Sequence, residues 1–196
     1  MGGLILKDLY ALKKLCGYYL IVIGIFVVLA YVEYNSMMIA FPSLLAGVIP
    51  YTMYAYDERE KFNVYCDVMP VSRKSYVCAK YILGLATVIA ASALSIAAAL
   101  LSPAAEQPFP ASLVIFQAMT PGLLAMSVML PLGFKFGAEK GRLVMVLMFA
   151  LFFAVSYCMN STATINISGL GLTLIIAALL ALSWLLSQRI YEKKEL

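Results

Sequence analysis

Long apolar runs separated by short polar breaks make up most of this chain. Six runs stand out, at residues 17–34, 37–56, 76–101, 113–134, 143–160 and 167–186. Each approaches the roughly 20 residues an α-helix needs to cross a hydrocarbon core about 30 Å thick. The breaks carry their own signals. Residues 33–36 make a tight polar turn, and 102–111 (SPAAEQPFPA) hold three prolines that stop a helix. Residues 136–142 (FGAEKGR) are charged and glycine-rich, and 160–166 (NSTATIN) are polar but uncharged. The pattern predicts an all-α, polytopic membrane protein: one transmembrane domain over residues 1–196, with six membrane-spanning helices.

Two further helices are predicted outside the spans. In 4–16 (LILKDLYALKKLC), Ile5, Leu9, Leu12 and Cys16 share one face, while Lys7, Lys14 and, on the flank, Lys13 lie off it. A short basic amphipathic helix of this kind belongs in the membrane interface. The densest polar run, 56–81 (YDEREKFNVYCDVMPVSRKSYVCAKY), falls between the second and third spans. Its part 57–67 also fits a helix, with Phe62, Tyr65 and Met69 at i, i+3 and i+7. Pro70 breaks that helix, and Ser72 is placed to N-cap the next. A topological signal needs only a few lysines. Interleaved acids and bases with aromatics at helical spacing suit a groove in a partner protein better, though a solvated loop stays open.

Composition supports the solvent being lipid. The chain is 64% apolar and 12% charged, with a mean hydropathy of +0.94, where a soluble domain carries about 25% charge. There is no histidine, which removes histidine acid–base chemistry and the HExxH zinc motif. Cys16, Cys66, Cys78 and Cys158 form no CxxC pair, so neither a zinc site nor a disulfide framework is expected. No catalytic or metal-binding constellation is visible, and an intramembrane enzyme lacks its paired carboxylates or nucleophile. No signal-peptide cleavage site follows the first run, and the second begins almost at once, so the first is expected to be retained.

Charge placement sets orientation. With six spans, all 14 Lys and Arg residues fall on one side: at 7–14, at 59–80, at 135–142 and at 189–194. The positive-inside rule makes that side cytoplasmic and puts both termini there. The outer loops keep Glu33 and Glu106. Glu33 is a candidate for an outer gate, and a plain solvated turn is the other reading. Pro42, Pro50, Pro121 and Pro131 inside spans allow kinks, in a moving permease or a static bundle alike. Small residues in the third span (Gly84, Ala86, Ala90, Ala91, Ala93, Ala97, Ala98) predict close helix packing.

The order DEREKFNVYCDVMPVSRKSYVCAKYI, followed later by PLGFKFGAEKGR, resembles the small bacterial ABC-2-type permeases, most of all those that export amphipathic peptides such as phenol-soluble modulins. The resemblance runs over the whole chain. It is carried by Asp57 and Glu58, by the Pro70-Val71-Ser72-Arg73-Lys74 elbow and by the Phe136-Gly137-x-Glu139-Lys140-x-Arg142 turn. It implies a non-catalytic homodimer in the bacterial cytoplasmic membrane, driven by two copies of a separate ATPase chain that binds the ATP and magnesium. It implies no nucleic-acid partner and a hydrophobic or amphipathic peptide as cargo. The helix after span two would be the coupling helix, with Asp57, Glu58, Arg59, Glu60, Phe62, Tyr65, Pro70 and Arg73 at the ATPase, and Gly137, Glu139, Lys140 and Arg142 forming a second cytoplasmic loop. The absence of a G-x-x-x-x-G-K-[ST] loop agrees with a motor on another chain. The alternative is a substrate-capture subunit of an energy-coupling-factor vitamin importer, of similar size and helix number. The charged segment after span two and the lack of clustered polar residues at membrane depth count against it.

Overall fold

A computed structural model describes residues 2–15, 17–62, 72–103, 111–161 and 169–192, all in helices and the turns joining them. The helices are α1 (Gly2–Leu15), α2 (Gly17–Val32), α3 (Ser36–Arg59), α4 (Arg73–Leu100), α5 (Ala111–Ser161) and α6 (Gly169–Glu192). Two starts follow the expected chemistry. Asn35 accepts a hydrogen bond from the Met37 amide at 3.1 Å, and Ser72 accepts one from the Ser75 amide at 3.3 Å, each satisfying a donor that a helix start leaves open.

α3 is the axis of the bundle, packed against α1, α2, α4 and α5, while α6 lies on α4 and α5. Every residue of 42–51 is buried, so α3 is apolar all round, as a helix enclosed by others must be. The tightest crossing is between α3 and α5. A Cβ on Gly47 would run into the Gly122 carbonyl, and one on Gly122 into the Ser43 carbonyl. Lipid offers no hydrophobic drive between helices, so close backbone approach through small residues supplies the dispersion contact that holds them. On α4, Gly84, Ala91 and Ala98 are buried at seven-residue spacing, whereas Ala86, Ala90, Ala93 and Ala97 face outward. Three of the seven predicted small residues therefore pack, and the closest contact falls on glycines of α3 and α5 instead.

Pro50 is accommodated within α3. Pro50 cannot donate to the Ala46 carbonyl, and the Thr87 hydroxyl of α4 donates to that oxygen at 3.3 Å.

Ser36–Arg59, Arg73–Leu100 and Ala111–Ala154 are long and apolar enough to cross a membrane, and α1 with α2 make a fourth span if that pair, bent by 70°, is taken as one. This differs from the expected six in two described places. α2 has only 16 residues, and the fourth and fifth runs form one 51-residue helical stretch whose backbone leaves helical geometry at Gly137 (φ 79°, ψ 176°). The charged FGAEKGR turn is thus a single-residue break, permitted because glycine adopts positive φ without a Cβ clash. The halves 111–136 and 138–161 are each long enough to cross a bilayer.

On α1, Leu4 and Asp8 are buried, Ala11 and Leu12 pack partly, and Leu9 of the predicted apolar face is exposed; the side chains of Ile5 and Cys16 lie outside the described residues. The expected helix 57–67 begins differently. Asp57, Glu58 and Arg59 are the last turn of α3, Glu60 is its C-cap, and Lys61 takes a left-handed φ of 56° that redirects the chain before Phe62. Tyr65 and Pro70 lie outside the described residues.

Gly122→Ala is expected to destabilise the protein by about 1–3 kcal/mol through overpacking. Gly24→Ala, where a Cβ meets nothing within 4 Å, is expected to be neutral or stabilising by up to ~1 kcal/mol. Unfolding of both variants in detergent micelles measures the difference.

Candidate functional site

The polar groups of α1, the end of α3, the start of α4, the middle of α5 and the end of α6 meet at one end of the bundle. Their centre is a closed ring of alternating charge. The Lys7 ammonium lies 2.8 Å from Asp57 Oδ1, Asp57 Oδ2 lies 2.7 Å from Lys80 Nζ, Lys80 lies 2.9 Å from Asp8 Oδ1, and Asp8 closes back on Lys7 at 3.5 Å. Asp8 is 2% exposed and Lys80 fully buried. Two cations and two anions sum to zero, which is how charge survives away from water. The Tyr76 hydroxyl donates to Asp57 Oδ2 at 2.7 Å, and the Phe62 ring covers the Lys7 ammonium with its centroid 3.5 Å away.

An aromatic wall extends inward from the ring. Tyr76 stacks on Tyr191 at 5.3 Å, Tyr191 meets Phe134 edge-on at 5.3 Å, and Phe134 meets Tyr54 at 4.7 Å. Tyr81 joins α4 to α6 through hydrogen bonds with Ser183 (2.6 Å) and Ser187 (2.8 Å). These contacts bury the Lys80 side of the ring, while the Lys7 side chain stays 31% exposed, and they tie four helices together beneath it.

The second polar joint is at the Gly137 break. Glu58 Oε2 accepts the Ala138 amide at 2.5 Å, and Tyr54 donates to Oε1 at 3.3 Å. A carboxylate there caps the segment 138–161 from another helix, where the helix dipole favours negative charge. The Tyr51 hydroxyl donates to the Ala138 carbonyl at 2.8 Å, so both backbone groups of Ala138 are held by α3. A Cβ at Gly141 would run into that same hydroxyl, which makes the second glycine of FGAEKGR a packing requirement.

The predicted site residues divide accordingly. Asp57 and Glu58 face inward and bind this chain's own helices. Arg59, Glu60 and Lys61 are exposed, Phe62 is partly buried against Lys7 and Tyr76, and Arg73 is partly exposed at the first turn of α4. Gly137 forms the break, with Glu139, Lys140 and Arg142 exposed just beyond it. Glu33 is exposed at the opposite end, near the Ser102 hydroxyl bond to the Tyr31 carbonyl (2.7 Å). Asp8 and Lys80 were not predicted as a pair. The signal was present, since Lys80 sits within an apolar run and an ionisable residue at such a place marks a partner, but 72 residues separate the two.

Among the described residues this assembly offers no metal-binding cluster. The fold is that of a helical membrane protein whose polar machinery is gathered at one end. A family profile described as ABC-2 family transporter protein matches residues 3–192, and the chain belongs to that family. Its members are non-catalytic membrane components that work with an ATPase partner. Searches of curated proteins and of solved structures find no match. The match gives no support to a vitamin-capture subunit.

Lys80→Ala leaves Asp8 buried beside only the more distant Lys7 and is expected to cost about 3–5 kcal/mol. Lys13→Ala, at an exposed position, is expected to change stability by no more than about 0.5 kcal/mol. Thermal unfolding of purified protein checks the contrast, and near-equal effects would mean the ring contributes little.

Proposed function

We propose that this chain is the permease subunit of an ATP-driven exporter of amphipathic peptides, working as a homodimer with two ATPase subunits in the bacterial cytoplasmic membrane. The family match supports a permease. The halves of α5 support a six-span reading in which 136–142 is a cytoplasmic turn and both termini are cytoplasmic. The ring end of the bundle is then the cytoplasmic end, since it gathers the basic segments on one side.

The single observation that carries the coupling role is the ion ring. It joins α1, the exit of α3 and the start of α4, so the polar segment between α3 and α4 leaves from a braced base. A push on that segment by an ATPase is delivered to the helices that start and end there, and a bistable bundle converts it into alternate states. Arg59, Glu60 and Lys61 supply the outward-facing charge at the root of the segment, with Arg73 at its return. Asp57 and Glu58 act as its anchors. Cargo that partitions into lipid reaches the dimer interface laterally, consistent with few charges at membrane depth, and Glu33 stands at the outer rim of that path.

The test is co-purification of the co-expressed ABC ATPase with the wild-type chain and with Glu60→Lys/Lys61→Glu, which touches neither the ring nor the Gly137 joint. The ATPase is expected to accompany the wild type in equal stoichiometry and to be lost from the variant while membrane insertion is unchanged. Retention by the variant would overturn the docking assignment.

A further inference from the structure

A cavity of about 1040 Å³ opens at the ring end of the bundle, between the first turn of α2, the last turns of α3 and the start of segment 138–161. Arg59, Lys140 and Arg142 stand on its wall. No carboxylate among the described residues lies within ion-pairing distance of any of the three. Two carboxylates share the wall. Glu58 is turned to the Ala138 amide and the Tyr54 hydroxyl, and Glu139 is exposed. Three cations against two carboxylates leave the mouth with a net positive charge of one.

The rest of the wall is partly different in kind: Tyr19, Met145 and Val146 are apolar or aromatic. On either side run outward-facing apolar surfaces, Tyr18, Ile21 and Ile25 on α2 and Leu143, Val146 and Leu147 beyond the break, all more than half exposed. A cationic mouth that continues into an apolar cleft between two greasy helices fits a molecule with an anionic head and hydrocarbon tails. A soluble phosphate would leave the cleft unfilled, and a neutral lipid would leave the cations unmatched.

From this juxtaposition we infer that the cavity is a binding site for a single anionic phospholipid. Its phosphate sits among Arg59, Lys140 and Arg142, and its acyl chains lie between α2 and segment 138–161. Basic pockets between membrane helices bind anionic headgroups by this combination of charge and shape. The bound lipid would lie against the Gly137 joint. The inference rests on the membrane placement of these helices and on nothing about the ATPase or the cargo.

The test is native mass spectrometry of the full chain, titrated with phosphatidylglycerol or phosphatidylcholine. Three forms are compared: wild type, Arg59→Gln/Lys140→Gln/Arg142→Gln, and a charge-matched control, Lys13→Gln/Lys74→Gln/Arg189→Gln. One phosphatidylglycerol is expected to bind the wild type and the control in preference to phosphatidylcholine. Loss of the three pocket cations is expected to weaken it on the order of a hundredfold, from the usual contribution of a basic side chain beside an anionic lipid. Equal weakening in both variants would reduce the effect to general surface charge and overturn the site, as would equal binding of the two lipids. Displacement by glycerol 3-phosphate at matched concentration would show that a free phosphate suffices, and displacement by an amphipathic peptide alone would make the cavity a cargo site. Either result contradicts the phospholipid assignment. The single substitution Arg142→Gln gives a milder loss in the same assay should the triple variant be poorly folded.

Discussion

Charge cannot be left alone where water is excluded, and the Lys7–Asp57–Lys80–Asp8 ring is this protein's answer. Each ammonium touches two carboxylates and each carboxylate two ammoniums, with the Tyr76 hydroxyl completing Asp57. The arrangement is cooperative in a specific sense. Removing one member leaves its neighbours desolvated and unmatched, whereas the intact ring is neutral. Because the four residues come from three helices, this electrostatic condition is also a mechanical one: α1 and the start of α4 are fixed to the end of α3.

The remainder of the bundle is arranged so that α3 can serve as that fixed element. Glycines let α5 approach it to backbone contact, and Thr87 of α4 occupies the carbonyl that Pro50 leaves open. At its end α3 divides its polar side chains by direction. Asp57 turns to α1 and α4, Glu58 turns to the Gly137 break in α5, and Arg59 turns out. Three consecutive residues thus address three different neighbours, as the 100° step of a helix allows. In the coupling role proposed above, such a node would be the physical route from the ATPase to the membrane helices.

Much of this was legible in the sequence. Apolar runs located α2 to α6, Ser72 marked the start of α4, and the charged FGAEKGR turn marked the break in α5. The tertiary reasons were not legible. Nothing local shows that Asp8 of α1 turns inward, because its partner Lys80 is a long way off along the chain. Periodicity likewise placed Asp57 and Glu58 on a helix suited to a partner's groove, because a polar pattern cannot reveal that the charges are answered from inside. The glycines that matter most for packing, Gly47 and Gly122, are isolated in their runs, while the conspicuous alanine series of α4 is half exposed.

The central claim is that the ring acts as one unit joining α1 to the α3–α4 end, and a double-mutant cycle on Asp8→Asn and Lys80→Met measures it most directly. Unfolding free energies in micelles would be obtained for the wild type, both single variants and the double variant. The account predicts strong coupling, with the double variant about 1–3 kcal/mol more stable than the sum of the single losses would make it. Additive losses would mean that the two residues act independently, and that the ring does not hold these helices together.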